Sequence, residues 1–155
     1  MDESVVRSMA KWPDVPDVYG WLSLDRRGNW LIKNEKINNL ALREFIGRNY
    51  QPDARGCWYF QNGPQRVFVK LAYTPLVLRL EGATLVDQCA RPFQKKETFL
   101  DEEGSVLVRG GGGIALLDDR DLAQFSENLD VGAEVLPRIA RAQVPLQFGF
   151  NADPA

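Results

Sequence analysis

The amino-acid sequence predicts an α+β domain dominated by antiparallel β-hairpins, with one amphipathic helix at about 38–47 and a second, short one at about 119–127. Three observations carry that prediction. Hairpin turn signals recur between alternating apolar stretches, at Asp25-Arg26-Arg27-Gly28, Asn62-Gly63 and Asp101-Glu102-Glu103-Gly104. Helical spacing of apolar residues is best between Ile37 and Ile46. The connections between strands are too short for many helical crossovers between parallel strands.

Taken in order, residues 1–11 carry no long apolar run and read as a loose N-terminal arm. Trp12-Pro13-Asp14-Val15-Pro16 is too proline-rich for helix or central strand and is expected extended, with Trp12 laid on the body of the domain. Val18 to Leu24 and Asn29 to Lys33 form the first hairpin. In the helix that follows, Asn38 reads as N-cap, with Ile37 and Leu42 at staple spacing around it. Ile37, Leu40, Ala41 and Phe45 share its inward face, and Gly47 is placed to end it. The next hairpin pairs Cys57–Gln61 with Arg66–Tyr73. Pro64 removes one ladder donor from it. Leu76 to Glu81 alternates as a strand, Thr84 to Asp87 is a short one, and Cys89 to Lys96 reads as loop. Glu97–Leu100 and Ser105–Arg109 make the hairpin around Asp101, and Gly110 to Gly113 is a flexible turn into Ile114–Leu117. Asp118 or Asp119 caps the short helix, which turns Leu122, Phe125 and Leu129 inward. Beyond it the chain reads as irregular to Phe150, and 151–155 as a frayed tail.

Composition bounds the function. A chain of 155 residues is long enough to close one hydrophobic core without staples, and one domain spanning 1–155 is expected. The formal net charge of −2 lacks the basic surplus of a nucleic-acid binder, so no nucleic-acid partner is expected. No stretch approaches the roughly 20 apolar residues of a membrane span, and the N-terminus does not read as a signal peptide. A cytoplasmic location without a membrane partner follows by elimination. Cys57 and Cys89 stand apart from any metal or redox spacing and read as reduced, buried thiols. The sequence contains no histidine, which removes the Ser-His-Asp triad, the Cys-His pair and every histidine-ligated metal site. No cofactor is expected.

Two constellations remain where chemistry or binding is conceivable. Asp118-Asp119-Arg120-Asp121 is an oxygen-rich cluster of the kind that holds Mg²⁺ or Ca²⁺, but the same pattern starts a helix, where negative charge is favoured. The capping reading is preferred. In the hairpin around Asn62-Gly63, strand parity puts Trp58, Phe60, Val67, Val69 and Leu71 on one face, which must be core. The other face carries Cys57, Tyr59, Arg66, Phe68 and Lys70, a mixture of aromatic and cationic groups with Tyr59 and Arg66 close enough to stack. Such a face suits an anionic or aromatic ligand or a protein strand, unless the helix or the second hairpin covers it. Arg109 to Gly113 lacks the Lys and Ser/Thr of a phosphate loop and reads as a turn.

The sequence also echoes itself. Leu24 to Ile32 and Leu100 to Val108 share the pattern Leu-Asp-x-x-Gly-x-x-Leu followed by Ile or Val, and each precedes a helix with Leu-x-x-Phe. Either two hairpin–helix units repeat, or two ordinary turns precede two ordinary helices.

Three segments together resemble a family of small proteobacterial proteins known only as a domain of unknown function. They are Trp12-Pro13-Asp14-Val15-Pro16 with Tyr19-Gly20-Trp21-Leu22, Phe45-Ile46-Gly47-Arg48-Asn49-Tyr50, and Trp58 to Val67. The resemblance runs from about Trp12 to Phe150 and implies a bacterial source and a cytosolic setting. Its relatives carry histidines near the positions of Gln88 and Asp118, which this chain lacks, so it implies no histidine-based catalysis here. It brings no activity.

Residue by residue, the reading favours a non-catalytic binding or protein-interaction module whose partner is a second copy (a homodimer), another protein or a small molecule. The rival is a carboxylate- or metal-dependent hydrolase using Asp118, Asp119 and Asp121. A pocket gathering two or more of those carboxylates favours the enzyme. A flat face with exposed aromatics favours the module.

Overall fold

Among the described residues, twelve short strands arrange themselves in two six-stranded sheets of identical topology. The computed structural model describes residues 1–129 and 135–155. The stretch 130–134, expected irregular from sequence, lies outside the described residues. The contacts of the chain gather into two compact units. The first comprises Met1–Asp25, Asn29–Ala72 and Gly149–Ala155, and the second Arg26–Gly28 with Tyr73–Phe148.

In the first unit, β1 (Val18–Leu24), β2 (Trp30–Ile32) and β3 (Glu35–Lys36) form one meander, and β4 (Tyr50–Pro52), β5 (Trp58–Asn62) and β6 (Gln65–Leu71) another. They join through a parallel β1–β6 pair to give the order β3-β2-β1-β6-β5-β4. In the second unit, β7 (Leu76–Glu81), β8 (Thr84–Asp87) and β9 (Pro92–Phe93) are joined to β10 (Lys95–Leu100), β11 (Val106–Gly110) and β12 (Gly113–Leu117) through a parallel β7–β12 pair. The order there is β10-β11-β12-β7-β8-β9. Shifting each label of the first sheet by six reproduces the second, so the chain contains a structural repeat of one six-strand unit. Hairpin chemistry alone did not reveal the parallel pair at the centre of each sheet, because its strands are far apart in sequence.

The repeat differs from the echo seen in sequence. Under the six-strand correspondence, the turn Asp101–Ser105 between β10 and β11 matches Asp53–Cys57 between β4 and β5, not the turn after Leu24. What the echo detected is a turn type. At Asp25, Asp53, Asp87 and Asp101 the backbone N–H donates to the carbonyl four residues on, at 2.8–3.1 Å. The Asp Oδ1 of each accepts the N–H of that same later residue, at 2.8–3.1 Å. The fourth residue is left-handed in every case, glycine in three and Ala90 in the fourth. Short aspartates satisfy turn donors that the ladder leaves unpaired, so the motif recurs wherever a five-residue turn is needed.

Several local expectations are corrected. The arm 1–11 is not loose: Glu3–Lys11 forms α1, which buries Val5 and is tied down by the Asp2 N–H donating to Asn49 Oδ1 at 2.8 Å. The first predicted helix is α2, Leu40–Arg48, capped by Asn39, whose side chain accepts from the Leu42 N–H at 2.9 Å. The inward face also differs from the expected Ile37, Leu40, Ala41 and Phe45, and Gly47 lies within the helix rather than ending it. Ile46 and Gly47 are buried, and Leu40 is 60% exposed. Residues 89–96 contain β9 and the start of β10 rather than loop. Arg141–Gln143 is a 3₁₀ turn leading into α4, Val144–Phe148, which takes α3 as the helix before it, Leu122–Glu127. The tail 151–155 is not frayed, since Leu71 donates to the Ala152 carbonyl at 2.8 Å and Pro154 is buried. Among the described residues, no helix is long and apolar enough to cross a membrane.

Strand parity in the hairpin of β5 and β6 is as expected. Phe60 pairs with Val67 and Tyr59 with Phe68 across a two-residue turn. Trp58, Phe60, Val67 and Val69 are buried in the core of the first unit, with Phe45 of α2 edge-on to Phe60 at 5.5 Å. The core of the second unit is built on Leu76, Leu78, Leu107, Ile114 and Leu117.

Candidate functional site

Three places in the fold bring chemistry-bearing side chains together. The first is the outer face of the first sheet, where the hairpin parity puts Tyr59, Arg66, Phe68 and Lys70. Tyr59 and Phe68 are buried there with Cys57 in a small second core. Arg66 is partly exposed and Lys70 exposed. The Arg66 guanidinium lies 4.7 Å from the Tyr59 ring centroid, and Tyr59 tilts against Phe68 at 5.5 Å. Tyr19 of β1 stacks on Phe68 at 4.8 Å and 6°. The rings thus form a continuous row running from Arg66 to Tyr19. Trp21 precedes Leu22, which pairs with the core residue Val69, so Trp21 lies on the same side as that row, and both Tyr19 and Trp21 are 40% exposed. Sequence reading found the β5–β6 half of this row and missed the β1 half, because the parallel partner strand is about 47 residues away. The bulge at Gly20, where the β1–β6 register shifts, also breaks simple alternation.

The second place is the acidic cluster of the second unit. Asp118 accepts from the Arg120 backbone N–H at 2.9 Å, so it caps the 3₁₀ turn Asp119–Asp121 that leads into α3. Its fully buried carboxylate also takes the Arg120 guanidinium at 2.6 Å. Asp121 turns to β7 instead, accepting from Arg79 Nε at 2.6 Å and from the Leu80 N–H at 3.0 Å. Asp119 faces Arg27 at 3.3 Å. The three carboxylates therefore each hold a different arginine. Among the described residues, no group of three or more Cys, Asp or Glu is placed to hold a metal.

These pairings set a pH dependence. Burial raises the Asp118 carboxyl, but hydrogen bonds from the Arg120 side chain and backbone outweigh it and hold the group below the usual carboxylate range. For Asp121 the Arg79 hydrogen bond dominates in the same direction. A depressed carboxylate contributes stability that is complete above its unfolded pKa of about 3.9 and is lost as pH falls through the folded value. Asp121→Asn is therefore expected to melt below the parent near neutral pH, with the gap closing below about pH 4. A gap that stays constant into acid contradicts the pairing.

The third place is a cleft of 430 Å³ in the second unit, with apolar lining from Leu116, Leu117 and Leu122. Its rim holds Arg26, which donates to Ser105 Oγ at 2.8 Å and lies 3.6 Å from Glu103, and the Arg27–Asp119 pair. Behind the rim, the Tyr73 ring is flanked by Arg26 and Arg141, each 5.1 Å from its centroid. The Tyr73 hydroxyl donates to the buried Asp101 carboxylate at 2.8 Å. Burial first, and then that hydrogen bond, push the phenol well above its ordinary value, so it stays protonated at any physiological pH. Neither Arg26 nor Ser105 stood out in sequence, because both read as ordinary turn residues.

Both cysteines are free. Cys57 is buried, and desolvation pushes the partly buried Cys89 thiol up to about 12, which makes it a poor nucleophile.

The fold defined by these paired sheets recurs in solved structures. A DUF1285 family protein from Silicibacter pomeroyi DSS-3 is similar at a TM-score of 0.56 with 14% identity, over 77% of this chain and 74% of that one. A DUF1285 family protein from Shewanella baltica OS155 is similar at a TM-score of 0.51 with 13% identity, over 71% of this chain and 93% of that one. At such identities the likeness concerns the fold alone. The chain itself belongs to the family DUF2944, described as "Protein of unknown function (DUF2946)", which matches residues 1–155. No curated protein matches it.

Proposed function

We propose that this protein is a non-catalytic binding module, and that the outer face of its first sheet takes an acidic segment of a partner protein. The observation that carries the reading is the exposure of Tyr19 and Trp21, each 40%, on the face that also presents Arg66 and Lys70. Tryptophan, tyrosine and arginine are the residue types that dominate binding hot spots. Here Tyr19 stacks on the buried Phe68 and Arg66 lies over the buried Tyr59, so these two side chains lose little entropy when a partner docks. The charge on the face selects the partner. A two-fold dimer would use the same patch twice and set cation against cation near the axis, whereas an acidic partner meets complementary charge. The rival hydrolase draws no comparable support, because the cleft of the second unit takes in Asp119 but neither Asp118 nor Asp121.

The test is fluorescence anisotropy of a short labelled peptide rich in glutamate with one central tyrosine, beside a lysine-rich counterpart. The acidic peptide is expected to bind, more weakly as salt rises. Trp21→Ala and Lys70→Glu are each expected to weaken it by about tenfold or more, with Tm lowered far less than by Trp58→Ala, as loss of a hot-spot side chain does. Equal binding of both peptides, or of parent and variants, refutes the reading. So does a concentration-dependent dimer that Trp21→Ala abolishes, which assigns the face to a second copy.

A further inference from the structure

The cleft of the second unit carries an inference independent of the sheet face. It is large enough for a small organic molecule, and its lining divides into two kinds of surface. Leu122 offers an apolar surface, beside the nearly buried strand residues Leu116 and Leu117. The rim offers charges in matched numbers, Arg26 and Arg27 against Glu103 and Asp119.

The Arg26 guanidinium is held in place rather than free to swing. It lies against the Tyr73 ring at 5.1 Å, donates to Ser105 Oγ at 2.8 Å, and Tyr73 is itself fixed on the buried Asp101 carboxylate. Glu103 is shared, 3.6 Å from Arg26 and 3.0 Å from Arg141. A positioned guanidinium beside a hydroxyl is a carboxylate-binding arrangement, because its fork of donors fits two oxygens and the hydroxyl donates a further hydrogen bond.

The geometry points to this cleft as a binding site for a free amino acid with an apolar side chain. Its carboxylate lies on Arg26 and Ser105, its ammonium on Glu103 or Asp119, and its side chain on Leu122, beside Leu116 and Leu117. The balance of the rim excludes the simpler ligands. A phosphate or dicarboxylate brings excess negative charge against Glu103 and Asp119, and an amine without a carboxylate brings positive charge against Arg26 and Arg27.

Calorimetric titration of the full chain with leucine, valine and phenylalanine tests this, beside 4-methylpentanoate, 3-methylbutylamine and the dipeptide of two leucines. At least one of the three amino acids is expected to bind. For leucine, removal of either charged group should weaken binding by tenfold or more. Arg26→Gln should abolish it. Ser105→Ala, which removes one of the contacts that hold Arg26 and the hydroxyl itself, should weaken it several-fold while a smaller Tm loss reports the lost Arg26–Ser105 bond. Binding of 4-methylpentanoate as tight as leucine makes the cleft a plain anion site and overturns the proposal. Binding of the dipeptide alone, or of none of the amino acids, overturns it equally.

Discussion

Gly56→Ala is expected to be among the most destabilising single changes in the chain, at about 3–5 kcal/mol. Gly56 adopts φ +77°, where an added Cβ is already strained, by about 1–2 kcal/mol. That Cβ would also sit 2.1 Å from the Gly149 carbonyl oxygen and 2.9 Å from Phe150 Cα, both backbone atoms that cannot rotate away. The C-terminal segment must then lift off. Its departure costs the hydrogen bond from the Asn151 N–H to the Gly56 carbonyl, at about 1 kcal/mol, and exposes Phe150, at about 1.5–3 kcal/mol. Gly82→Ala is the control, since Gly82 has φ +63° but open space around it, and only the backbone strain applies. Urea midpoints compare the two. Equal losses would mean that the C-terminal segment does not depend on Gly56.

Trp58→Ala is expected to cost about 3–5 kcal/mol, the range for a buried aromatic truncated to alanine. Its ring is 8% exposed and packs on Tyr50 at 4.8 Å, and Tyr50 in turn meets Trp30 edge-on at 4.9 Å. The void therefore opens inside a three-ring cluster that has little freedom to collapse. Against a total stability of about 5–15 kcal/mol, such a loss brings the protein close to unfolding. Trp21→Ala removes the same side chain from a site 40% exposed and should cost far less. A chemical-unfolding series reads both. A loss under about 1 kcal/mol for Trp58→Ala contradicts the packing of the first unit.

The sequence was most legible where local chemistry decides structure. Asn62-Gly63 marked the hairpin of β5 and β6, whose two-residue turn is Gly63-Pro64 between the paired Asn62 and Gln65, and alternation assigned Trp58 and Phe60 to the core. The four-glycine run at 110–113 became a tight hairpin turn, as its lack of a Lys and Ser/Thr implied. Asp118 became a cap because a short acceptor beside free backbone donors has one inexpensive solution. What stayed hidden depends on strands far apart in sequence. Pairing β1 with β6 and β7 with β12 needs partners about 47 and 39 residues away, and no turn signal encodes that. The same distance concealed Tyr19 and Trp21 as members of the face that Arg66 and Phe68 announced. The N-terminal arm was misjudged for a related reason. α1 does carry helical spacing, Val5 and Met9 at i and i+4, but it is short and flanked by polar residues, and it is tied down by Asn49, which lies 47 residues from Asp2. The pairing of Leu24 to Ile32 with Leu100 to Val108 was real as a turn type and misleading as a repeat, since aspartate-headed turns occur at four places and only topology shows which ones correspond.

The central claim is that the row from Arg66 to Tyr19, continued by Trp21, is a binding face. The most direct measurement is a two-dimensional NMR titration of the isotope-labelled protein with the glutamate-rich peptide. The account predicts that the backbone signals of Tyr19, Trp21, Arg66 and Lys70, together with the indole N–H of Trp21, shift in a saturable way, while those around Asp118 and Asp121 stay in place. Shifts concentrated at the acidic cluster, with the Trp21 indole signal unmoved at saturating peptide, would contradict it.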